Sequence, residues 1–250
     1  MPVLCSGLAG ASLYDLTLEV SALPAIENST SARLDSSTLQ NIFVPPNDSL
    51  PRGSQTRGAA SRGSCRPTED PQASQAEPQG NVSVLPKSNY GRTVSERPVF
   101  LVYLSDIPES THSFFFHIRD EQGENVYGTF LPLEPNTKML RIQLPEEALR
   151  LEIGQFYKWS VAVPCSGDLK PDTPFVSGWI ERVEDASLVN TASLPALEAV
   201  YRYGQAGIWY DMVAMLDELH RSQPQDLTTM MVWQNTLQQI GIYETLGVLQ

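Results

Sequence analysis

The stretch LEIGQFYKWSV, residues 151–161, changes character at Gly154. After it, Tyr157, Trp159, Val161 and Val163 fall on one side of an extended chain, and Lys158 and Ser160 on the other. That period of two marks a strand with one buried face. Similar short runs, rich in β-branched and aromatic residues, occur at 99–104, 113–120, 126–133, 139–144, 155–164 and 176–183. Phe114, Phe116 and Ile118 alternate with Phe115, His117 and Arg119; Leu140, Ile142 and Leu144 alternate with Met139, Arg141 and Gln143. Turn signals at 121–125 (EQGEN) and 134–136 (EPN) separate them. Six strands with no helical pattern between them predict antiparallel sheets packed face to face over residues 93–185.

The spacing Leu151, Gly154, Tyr157, Trp159 resembles the tyrosine-corner approach to a core strand in immunoglobulin-like and fibronectin-type domains. There the Tyr hydroxyl bonds to upstream backbone. The expected fold is therefore an immunoglobulin-like β-sandwich. The parity of Trp159 and Trp179 assigns both to its core.

From residue 186 the period becomes helical. Residues 206–212 (AGIWYDM) align with 240–246 (IGIYETL) at an offset of about 34 residues, the tetratricopeptide repeat length. Met212, Leu216 and Leu219 share a helix face, and Pro224 ends the unit. One and a half copies cannot bury their faces alone. The expectation for 186–250 is a tetratricopeptide-like unit packed on the sandwich.

Residues 1–92 are near neutral in charge, rich in Pro, Ser, Thr and Gln, and over 45–80 almost without bulky apolar groups. Such a segment cannot offset its ordering entropy by burial, so 1–92 is expected to be low-complexity and largely disordered. Within it Arg52, Arg57 and Arg62 form an Arg-Gly ribbon (52–66) that ends at Cys65. Three readings stand for the ribbon: nucleic-acid binding, a flexible linker, or docking along the acidic sandwich with a Cys65–Cys165 bond. The first lacks interleaved aromatics and sits on a chain of formal net charge −12. A bond closing about a hundred residues contributes on the order of 4–5 kcal/mol in the entropy model and requires an oxidising compartment.

Catalytic patterns are absent: no G-x-S-x-G, P-loop, G-x-G-x-x-G or H-E-x-x-H occurs. Cys5, Cys65 and Cys165 match no zinc spacing, and His112, His117 and His220 read as structural. The expectations are no catalytic residue, no metal and no cofactor. Trp209 and Tyr210 read either as an interface platform or as the contact inside the helical turn, with Tyr210 and Asp211 freer to face out. Together with Asp217 they form the candidate partner surface. No apolar run approaches the roughly 20 residues of a membrane span. The N-terminus lacks a basic start, so no complete export signal is read there.

The segments ERPVFLVYL, FFFHIRDEQGENVYGTFLPLEP, LRLEIGQFYKWSVAVPC, VSGWIERVE and YGQAGIWYDMVAMLDELHRSQP, in that order, resemble a cyanobacterial family of domains of unknown function, numbered 928. The resemblance runs over about residues 50–245 and includes R-G-x-C at 62–65 and a Cys at 165. It implies export to the periplasm or beyond, the alternative being the cytoplasm, and no established activity. The expectation is a non-enzymatic protein-interaction module of the cell envelope, its partner a tetratricopeptide-containing protein and not nucleic acid. The alternatives are a hydrolase with a cleft at the sandwich edge, using a thiol or carboxylates, and a structural envelope protein.

Overall fold

The computed structural model describes residues 41–46, 82–86, 88–104, 107, 111–148, 150–164, 168–170 and 173–240. All lie within a unit that runs from Leu34 to Gln250. Among the described residues there are eight strands, most of them alternating in burial: β1 (Val82–Ser83), β2 (Tyr90–Thr93), β3 (Val99–Tyr103), β4 (Ser113–Asp120), β5 (Asn125–Pro132), β6 (Met139–Gln143), β7 (Phe156–Ala162) and β8 (Phe175–Arg182). They form a five-stranded sheet in the order β2-β8-β7-β4-β5 and a three-stranded sheet in the order β1-β3-β6. Three helices follow: α1 (Ala196–Gln205), α2 (Trp209–Ser222) and α3 (Leu227–Gln239).

The sheets meet through their apolar faces. Phe100 of β3 lies 5.1 Å from Phe116 of β4 and 5.3 Å from Trp159 of β7, between ring centroids. Phe114, Phe116 and Ile118 are buried, as their shared face requires. Every residue of β3 is buried because its other face is covered as well. Helix α2 packs there, and Arg141 of β6 reaches the Ala214 carbonyl and the Asp217 carboxylate of that helix. The layers run from five-stranded sheet to three-stranded sheet to helices.

The turn before β7 forms the bond its spacing anticipates: the Glu152 N–H donates to the Tyr157 hydroxyl at 3.2 Å. Gly154 holds φ at 76°, a region costly for other residues, and its N–H donates to the Arg182 carbonyl at 2.6 Å. The β4–β5 hairpin turns through Gly123, whose N–H reaches the Asp120 carbonyl.

Three expectations need correction. Strand β2 runs parallel to β8, Tyr90 opposite Trp179, so the larger sheet is not wholly antiparallel. Trp179 is buried but not in the core: Trp159 pairs with Gly178, which leaves Trp179 on the outer face, beneath the Lys158 ammonium at 5.9 Å. Nor is residue 92 the edge of the packed unit. Ile42 is fully buried, Phe43 meets Trp209 edge-on at 4.7 Å, and the Val44 N–H donates to the Gly204 carbonyl of α1. Val84 and Leu85 are also buried. Two apolar clusters inside a polar segment bury enough surface to order it locally. The ribbon residues Arg52, Arg57 and Arg62, and Cys5, Cys65 and Cys165, lie outside the described residues.

Candidate binding recess

The outer face of the five-stranded sheet carries no helical layer among the described residues, and register decides what gathers on it. Strands β4 and β7 pair so that His117 lies opposite Ser160, Arg119 opposite Lys158 and Phe115 opposite Ala162. On β8, Ser177 lies opposite Ser160 and Phe175 opposite Ala162. With Leu169 and Lys170 these residues line an open recess of about 510 Å³.

One end of the recess is apolar: Phe115 packs on Phe130 of β5, 5.0 Å between centroids, and Phe175 and Leu169 are exposed. The other is cationic. Arg119 and Lys158 are exposed there, Lys170 is exposed in the segment before β8 with its N–H on the Thr173 hydroxyl, and none of the three enters an ion pair among the described residues. Glu181 accepts from the Tyr90 hydroxyl and, at 3.1 Å, from the Arg92 Nε.

His117 and Ser160 share a hydrogen bond at the centre, Ser160 Oγ lying 2.9 Å from His117 Nε2. Burial lowers the imidazole below its ordinary pKa, and the Arg119 and Lys158 charges lower it further. A neutral imidazole beside a hydroxyl is the first half of an acyl-transfer pair. Among the described residues lining the recess there is no carboxylate to orient the ring from its far side.

The expected partner surface is placed elsewhere. Trp209 and Tyr210 are 1% and 2% exposed. The Trp209 Nε1 donates to the Val84 carbonyl at 2.9 Å, and the Tyr210 hydroxyl donates to the Trp179 carbonyl at 3.0 Å. Asp211 is half-buried, its carboxylate accepting from the Thr93 hydroxyl at 2.7 Å and the Val94 N–H at 3.2 Å. Burial pushes its pKa up, against those bonds. The Asp217 carboxylate is buried between Arg141 and Arg221, each at 3.1 Å. Tyr210, expected to face out, instead fastens α2 to both sheets, because this edge of the helix covers them.

A second recess of about 350 Å³ lies between β3, β6 and α2, edged by Arg97, Arg141 and Asp211. Its charges are spent on structural bonds: Arg97 bonds Glu96 and the Glu146 carbonyl, and Arg141 bonds Asp217. Of the other histidines, His112 is exposed, and His220 stacks on Trp233 at 5.8 Å. Among the described residues no group of three or more His, Cys, Asp or Glu is placed to hold a metal ion. No helix among them is long and apolar enough to cross a membrane.

Fold and recess together define a β-rich domain of two packed sheets, backed by helices on one side, with the other side uncovered among the described residues. The family model of a Domain of Unknown Function (DUF928) matches residues 57–246, and the chain belongs to that family. No curated protein matches the chain.

Proposed function

We propose that this chain is a non-enzymatic recognition module whose binding surface is the outer face of its five-stranded sheet. The observation that carries the reading is that Arg119, Lys158 and Lys170 line one recess with no ion-pair partner among the described residues, on a chain of formal net charge −12. Like charges gathered on one face without acid partners repel one another, so an anionic partner is the simplest use for them. In this reading the two sheets are an immunoglobulin-like scaffold, and the helices a tetratricopeptide-like unit that buttresses it. The working compartment is the periplasm or the cell exterior of a cyanobacterium. Resemblance to that family's exported members supports the compartment.

The test is retention of envelope components by the immobilised full chain and by its R119E/K158E/K170E variant. The module reading expects partners that the wild-type chain retains and the variant loses, with both proteins giving the same near-UV circular dichroism. Equal retention by the two contradicts it.

A second reading, a hydrolase, draws on the Ser160–His117 contact. It differs from the edge-cleft enzyme expected from thiols or carboxylates. A fluorophosphonate probe separates the two: stoichiometric labelling of Ser160, lost in S160A and H117A, would favour the hydrolase.

A further inference from the structure

Resting on the recognition reading above, we infer that the recess takes a carboxylate carried on an apolar stem. The cationic and apolar features occupy opposite ends of one opening. At the first end, Arg119 and Lys158 are cross-strand neighbours; Lys170 also lines the recess, from the segment before β8, where its N–H bonds the Thr173 hydroxyl. A guanidinium offers a planar fork that matches a carboxylate, and an ammonium offers a point charge beside it. The Ser160 hydroxyl lies between this end and the aromatic one, free to turn its proton toward an acceptor when the imidazole supplies one in turn.

At the second end, Phe115, Phe175 and Leu169 present apolar surface that nothing described covers. Phe175 follows Ala162 across the sheet and Phe115 flanks it on the other side, so the small Ala162 side chain floors a trough between two rings. A bare inorganic anion would leave those rings wet, and a neutral hydrocarbon would leave Arg119 and Lys158 without the acid partner they lack among the described residues. A carboxylate with a stem of several carbons satisfies both ends. At about 510 Å³ the recess has room for such a ligand. The acid could be a free amphipathic acid or the C-terminal end of a peptide with an apolar last residue; the chemistry at the recess is the same.

The experiment is titration of the ¹⁵N-labelled full chain, followed by amide shifts, with five probes. They are hexanoate, hexanol, inorganic phosphate, the peptide Ala-Leu-Phe and its C-terminal amide. The expected result is saturable shifts in β4, β7 and β8 with hexanoate or Ala-Leu-Phe, at least tenfold tighter than with hexanol, phosphate or the amide. Tighter binding of the peptide identifies a chain end as the source of the carboxylate, and tighter binding of hexanoate a free acid. K158E should abolish the shifts and K158R restore them, with amide spectra otherwise unchanged.

Equal binding of hexanol, or of phosphate, overturns the inference, as do shifts confined to other elements. If none of the acids binds while envelope retention still depends on Arg119, Lys158 and Lys170, the ligand class is wrong and the recognition surface stands. If retention ignores those charges, the recognition reading fails first.

Discussion

The indole N–H of Trp159 donates a 2.6 Å hydrogen bond to the hydroxyl of Tyr210. One residue is at the centre of the five-stranded sheet and the other in the first turn of α2, 51 positions on. The same hydroxyl donates to the Trp179 carbonyl, so a single oxygen ties helix, β7 and β8 together. All of it is buried, where an unpartnered donor is costly. Burial also raises the Tyr210 phenol, so it stays neutral and keeps its proton for the Trp179 carbonyl.

Tyr210→Phe removes that oxygen and leaves the buried Trp159 N–H unsatisfied, while the Trp179 carbonyl keeps its place in the β2–β8 ladder. Such a group costs about 1–3 kcal/mol. In a chain of this size Tm falls roughly 2–4 °C per kcal/mol. Thermal unfolding of the full chain should show the variant melting several degrees lower, and an unchanged Tm would remove the bond from the account of stability.

Gly204 lies where α1 meets residues 41–46. A Cβ there would collide with the Ile42 carbonyl oxygen and approach the Met212 sulfur at 2.9 Å. Backbone cannot yield as a flexible side chain does, so Gly204→Ala should push the segment off the helix. Hydrogen exchange at Val44, whose N–H bonds Gly204, should quicken while β4 and β7 stay protected. Trp209 emission should move to longer wavelength as Phe43 leaves it.

The strands were largely legible in the alternation: β4 runs from Ser113 to Asp120, the span its pattern marks. β1 and β2 were not, because two and four residues are too short for a period and their neighbours are Ser, Pro and Asn. The parallel pairing of β2 with β8 is a contact between residues about ninety positions apart, which no local pattern carries. The recess was half-legible. His117, Arg119, Lys158 and Ser160 read as outward from their own strands, but that they are neighbours follows from the β4–β7 register alone. Trp209 and Tyr210 were ambiguous for a similar reason. A helical face looks the same whether a sheet or a partner covers it.

Acid and base behaviour follows from two half-buried groups. Asp211 has a raised pKa, set by burial over its bonds from Thr93 and Val94. The folded chain holds that proton more tightly than the unfolded one. Its contribution to stability is full below the ordinary carboxylate range, about pH 4, and is lost as pH rises through the folded value. His117 is lowered by burial, then by Arg119 and Lys158, so its contribution is present above about pH 6.5 and lost as pH falls through its folded value. Urea denaturation at pH 4 to 8 should show D211N losing the decline with rising pH, and H117N losing the decline with falling pH.

Asp217 has only 5% of its side chain exposed, and Arg141 and Arg221 hold it. Arg221 is half exposed and therefore the weaker anchor. Arg141→Met should cost about 1–3 kcal/mol by leaving a buried carboxylate with one screened partner. Adding Asp217→Asn should recover part of that loss, and chemical denaturation of both single variants and the double gives the coupling.

The most direct test of the central claim, that the outer face of the five-stranded sheet binds an anionic partner, is amine-reactive footprinting of the full chain. Acetylation of Lys158, Lys170 and the exposed, distant Lys138 would be followed by mass spectrometry with and without the retained envelope fraction. The account expects Lys158 and Lys170 to be protected severalfold while Lys138 reacts unchanged. Equal reactivity at all three lysines, with the partner demonstrably bound, would contradict it.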